Sequence, residues 1–161
     1  MEHFVKKIVI LLLTVILIFP SVCLSEIKAS RERSDKWILF GKSEVGVHYY
    51  DKSSIEKVTS GIIKVWTKVR LSKIEKSKLI QDRIKNNLPT NGWEDLSEQK
   101  VLTELDCVNK TSKINKLSGY NYQGAVIHDL IFPNAEIKKI IPESIDDGLL
   151  RITCNNNSLM R

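Results

Sequence analysis

Histidine, tyrosine, aspartate and serine crowd into one short stretch, Gly46-Val47-His48-Tyr49-Tyr50-Asp51-Lys52-Ser53-Ser54-Ile55. An imidazole, two phenols, a carboxylate and two hydroxyls are groups that general acid–base chemistry uses. A second histidine stands next to a carboxylate at His128-Asp129, and Glu104 and Asp106 are separated by one residue. Such groups act together only if one element turns them the same way. Alternate side chains of a strand point to opposite faces. His48 and Tyr50 would then share one face and Tyr49 and Asp51 the other, with His128 turned away from Asp129. The β-favouring VHYYD reads as a strand. Asp51-Lys52-Ser53-Ser54 reads as a turn whose side chains bond nearby backbone N–H groups. Glu104 and Asp106 read as a solvated acidic face. The chain contains no HExxH, no GxSxG and no glycine-rich phosphate loop. No catalytic residue, metal site or cofactor is expected.

The basic residues make a stronger pattern. Across residues 62–88 many lysines and arginines are opposed only by Glu75 and Asp82. Lys64, Trp66, Lys68 and Arg70 fall on one face of the alternating stretch GIIKVWTKVRLSK, residues 61–73. Cations beside an indole offer a surface to anionic or aromatic groups. This face is the candidate binding site, with a protein or anionic glycan as partner. A solvated charged face, with Trp66 covered by a helix or by a second copy in a homodimer, is the competing reading. Nucleic acid is not an expected partner, because the charge run carries no recognition fold.

The elements that must position this face follow from the rest of the chain. Residues 1–25 combine Lys6 and Lys7, a charge-free apolar run and small residues at Cys23 and Ser25, the pattern of a cleaved secretory signal. Pro20 and Val22 spoil a lipobox before Cys23, so no lipid is expected. The expected product is exported to the periplasm or cell surface, with no membrane span once the signal is removed. Residues 26–35 read as a flexible charged leader and 36–161 as a single domain. Of three cysteines, Cys107 and Cys154 remain after cleavage, and an exported pair of this kind reads as a disulfide.

Residues 36–41 and 47–51 read as a hairpin, 61–73 as the clearest strand and 75–87 as a short polar surface helix. Residues 97–109 alternate, with Val101, Thr103, Leu105 and Cys107 on one face. Residues 112–122 and 125–131 flank Gln123-Gly124 as a further hairpin. Ser144 with Asp147 forms a capping-box pattern. Ile145, Leu149 and Ile152 make a helical stripe that leaves out Cys154. The fold class is α+β, an antiparallel sheet with a short surface helix and a C-terminal helix.

The motifs KWILFGKSEVGVHYYDKSSI, IIKVWTKV, LTELDCVNK and PESIDDGLL, with the late Cys154, resemble the surface-adhesin protein E family of exported bacterial proteins. The resemblance covers residues 37–154. It implies that the C-terminal helix is held against one face of the sheet by the disulfide. It also implies adhesion, that is, binding of host matrix and serum proteins. The alternative is a non-adhesive structural or assembly subunit of the periplasm or cell envelope.

Overall fold

A computed structural model describes residues 36–155. The expected signal (1–25) and leader (26–35) lie outside the described residues. The eight strands are β1 (Trp37–Lys42), β2 (Gly46–Asp51), β3 (Glu56–Thr59), β4 (Ile62–Leu71), β5 (Leu96–Asp106), β6 (Thr111–Asn121), β7 (Val126–Ile131) and β8 (Lys138–Lys139). The helices are α1 (Lys73–Lys85) and α2 (Ile145–Cys154). The sheet runs β1-β2-β4-β5-β6-β7, with β3 beside β4 and β8 beside β6. Every pairing is antiparallel.

The turns obey local chemistry. Ser43 and Gly46 exchange backbone hydrogen bonds at the β1–β2 corner. A Cβ on Gly46 would collide with the Arg70 carbonyl, so the corner needs glycine. The Asp51 carboxylate accepts from the backbone N–H and the hydroxyl of Ser53, as the sequence suggests. β5 ends three residues sooner than expected, because the Asp106 carboxylate accepts from the N–H groups of Val108 and Asn109 and turns the chain. α1 begins two residues sooner than expected. Ser72 is its cap and accepts from the Glu75 N–H, a Ser-x-x-Glu signal.

One face of the sheet carries the main core. Ile63, Val65 and Leu105 are essentially sealed from solvent, and Tyr50 packs with them. α2 covers them with Leu149, Leu150 and Cys154. Burying side chains of this size stabilises by roughly 1.5–3 kcal/mol each. The Cys107–Cys154 disulfide, with Cα atoms 5.7 Å apart, ties the last turn of α2 to the end of β5. The expected stripe needs correction at one position. Ile152 is exposed, whereas Leu149, Leu150, Thr153 and Cys154 are buried. The disulfide holds the Leu150–Cys154 side of α2 against the sheet and turns Ile152 outward. Thr153 satisfies its buried hydroxyl by donating to the Leu149 carbonyl.

Candidate functional site

Lys64, Trp66, Lys68 and Arg70 do lie on one face of β4, opposite the α2 side, because β4 alternates without interruption. Antiparallel pairing with β5 sets Lys64 against Glu104, Trp66 against Leu102, Lys68 against Lys100 and Arg70 against Glu98. Lys64 lies 3.8 Å from Glu104, which also meets Lys113 at 3.0 Å. Glu104 is therefore the hub of an ionic ladder rather than part of a free acidic face. Burial pulls its pKa upward, but hydrogen bonds from Lys113 and Asn115 and the charges of Lys113 and Lys64 outweigh this. The net shift is downward.

Like charges meet at Lys68 and Lys100, a pairing that is destabilising unless something intervenes. Two things do. Glu98 lies 3.6 Å from Lys68 and 3.7 Å from Lys100. Aromatic rings take the remaining faces of the ammonium groups. Lys68 sits 4.9 Å from the Trp37 ring centroid and 5.3 Å from that of Tyr49. Lys100 sits 4.1 Å from that of Tyr120. Burial holds the Lys68 pKa below its ordinary value, with Arg70 and Lys100 adding to the effect and Glu98 opposing it.

The rings that receive these cations are thus Trp37, Tyr49 and Tyr120, not the Trp66 on which the sequence reading centred the cluster. Trp66 is half-buried, and its backbone N–H donates to the Ser54 hydroxyl. Arg70 is exposed and lies 5.9 Å from the Tyr49 ring. Trp37, Tyr49, Lys100 and Tyr120 were missed because only the strand register brings them beside Lys68.

The histidines occupy separate places. His48 Nε2 lies 2.8 Å from the Ser43 hydroxyl, at the β1–β2 corner. His128 stacks on Trp93 at 4.7 Å, in parallel. Gly119 makes room for it, since a Cβ there would enter the imidazole. Asp129 turns the other way, to Lys116 and Ser118. The separation expected of His128 and Asp129 is therefore present. Among the described residues, no group of three or more His, Cys, Asp or Glu side chains is placed to hold a metal ion.

Burial lowers the pKa of both histidines. For His48 the charge of Asp146 partly opposes it, and for His128 Arg83 reinforces it while Asp129 opposes it. The unfolded chain therefore binds these protons before the folded chain does, starting from the ordinary value of 6.5. Stability should fall as pH drops through 6.5 toward the depressed folded values. Melting temperatures between pH 7 and pH 5 should decline, and His128→Phe, which keeps a ring on Trp93, should flatten part of that slope. A wild-type melting temperature constant over this range would contradict the assignment.

The model of the family described as Surface-adhesin protein E matches residues 37–155. Crystal form II of Haemophilus influenzae protein E superposes with a TM-score of 0.52 at 14% identity, covering 76% of this chain and 90% of that one. Protein E from non-typeable Haemophilus influenzae gives a TM-score of 0.50 at 13% identity, covering 76% and 78%. At these identities the structures bear on the fold alone. No curated protein matches the chain.

Proposed function

Given that the chain belongs to the surface-adhesin protein E family, we propose that it is an exported binding module that captures an anionic partner, either a sulfated glycan or an acidic protein. The observation that carries this reading is the cluster on the face opposite α2. Lys68 and Lys100 share a single carboxylate, Glu98, Arg70 stands opposite it in the strand register, and the three cations rest against Trp37, Tyr49 and Tyr120. The surplus cations attract anions over long range, and the rings supply flat contact area. Lys64 and Trp66 extend the same face.

A heparin-type sulfated glycan serves as the probe. Affinity should fall as salt rises. Lys68→Gln with Lys100→Gln should weaken capture at least tenfold while the melting temperature changes little. Unchanged capture would remove this face as the site. Trp66→Ala separates the two roles of the indole. Lost capture with intact folding makes it a ligand contact. Loss of folding, or conversion of a dimer to monomer, makes it core or subunit contact.

A second reading, a structural subunit that assembles through its sheet edge, has its own support. β7 ends the sheet path and exposes Val126, Leu130 and Ile131. Among the described residues no strand pairs with that outer edge, and an apolar edge of this kind invites a further strand, including one from a second copy. Among the described residues no helix is long and apolar enough to cross a membrane. Cleavage after Ser25 would release the domain, and protease added to intact cells separates surface display from periplasmic retention.

A further inference from the structure

α2 has ten residues, about 15 Å of helix. β5 beneath it has eleven, about 36 Å of strand. The helix therefore covers only part of an apolar sheet face. The uncovered part is a half-open groove of about 550 Å³, within the range of about 300–1,000 Å³ for small-molecule sites. Val69, Val101 and Leu117 form its floor, Leu149 of α2 and Phe132 contribute to its walls, and Phe40 lies at the β1–β2 end.

The polar groups around this groove are unevenly distributed. Thr67, Thr103 and Ser112 bring uncharged hydroxyls along the sheet, and that of Thr67 donates to the Val101 carbonyl. Glu136 and Lys138 lie 3.9 Å apart and offset each other's charge. The ammonium of Lys68, whose residue also borders the groove, is engaged by Glu98 and Trp37 on the opposite face. Ser43, His48 and Asp146 remain, contributed by the β1–β2 corner and by the first turn of α2. His48 and Ser43 are hydrogen-bonded to each other, and Asp146 is exposed with its charge felt at His48. The groove thus joins an apolar trough to one end with net negative charge and hydrogen-bonding capacity.

We propose that this groove is a second ligand site, independent of the basic face, and that it takes a single-chain amphiphile with a protonated amine head. The apolar chain lies along Val69, Val101 and Leu117, where it replaces water on the uncovered sheet. The ammonium sits by the Asp146 carboxylate, with the Ser43 hydroxyl oxygen beside it as a further acceptor. A carboxylate head would instead meet Asp146 as a like charge. The ligand chemistry differs from that of the sulfated or acidic partner on the other face, so failure at one site leaves the other intact.

Displacement of the apolar fluorophore N-phenyl-1-naphthylamine from the oxidised, exported chain tests the site, with dodecylamine and dodecanoate below their aggregation limits as competitors. Dodecylamine should displace the probe saturably, one per chain, at least tenfold better than dodecanoate. Butylamine, which has the head without the chain, should not compete. Asp146→Lys should reverse the preference between the two heads. Ala135→Trp fills the groove from its loop side and should weaken probe binding at least tenfold. Phe132→Ser, which removes an apolar wall outside the strands, gives an independent reading if Ala135→Trp fails to fold. Absence of saturable displacement, equal affinity for the two heads, or native-like folding of a groove variant with unchanged binding would each overturn the proposal.

Discussion

Cys107→Ser should lower the melting temperature by about 10–20 °C relative to the oxidised chain. The bond closes 47 residues, for which the chain-entropy model gives about 4 kcal/mol. For a domain of this size, each kcal/mol shifts the midpoint by a few degrees. The structure adds a local consequence. Cys154 is 5 % exposed and sits in the core cluster with Leu149 and Leu150. Without the bond, α2 keeps its Ser144 cap but loses the covalent tie at its other end. Hydrogen exchange should then rise first in α2, while β4 and β5 stay protected until global unfolding. Thermal melts with and without reductant, compared with the variant, check the size of the effect. If reductant leaves the wild-type midpoint unchanged, the disulfide does not stabilise the fold in this way.

Much of this arrangement was legible because the relevant signals are local. β4 alternates over its whole length, so Ile63, Val65 and Val69 could be assigned to the buried face from sequence. The Asp51 turn and the Ser144 cap depend on side chains within three residues of the backbone groups they bind. The family resemblance, now supported by the match over residues 37–155, supplied the docking of α2, which periodicity alone left open. Periodicity also misled at Ile152, where a covalent bond decides which side of the helix faces in.

The candidate face was half legible for a related reason. Lys64, Trp66, Lys68 and Arg70 share a strand, so their common face follows from alternation. Their partners come from β1, β2, β5 and β6, and only the register Lys68↔Lys100 and Lys68↔Tyr49 brings those rings and carboxylates together. Alternation also says nothing about charge on neighbouring strands. The basic run loses part of its excess to Glu98 and Glu104, which lie 30 and 40 residues beyond their partners Lys68 and Lys64. The short β3 and β8 were not expected at all. Each is four residues or fewer and is held by a longer neighbour.

Trp93→Ala should destabilise the domain by about 3–5 kcal/mol, the usual cost of removing a packed aromatic side chain. Trp93 follows Gly92, whose φ of 78° starts a short 3-10 turn between α1 and β5. Its ring is stacked with His128 at 4.7 Å and has the Arg83 guanidinium 4.0 Å from its centroid. The ring therefore links α1, which carries Arg83, to β7, which carries His128. Leu96, 1 % exposed, packs in the same region under Gly119. α1 itself has no buried residue, so Trp93 is a principal reason for it to stay in place. The variant should therefore lose α1 protection in hydrogen exchange before any other element. His128 should also become more accessible and titrate nearer 6.5, reducing the loss of stability on acidification. Trp93→Phe keeps a ring for His128 and should recover more than half of the lost stability. If Trp93→Ala melts within a degree or two of wild type, or α1 retains its protection, Trp93 does not anchor the helix.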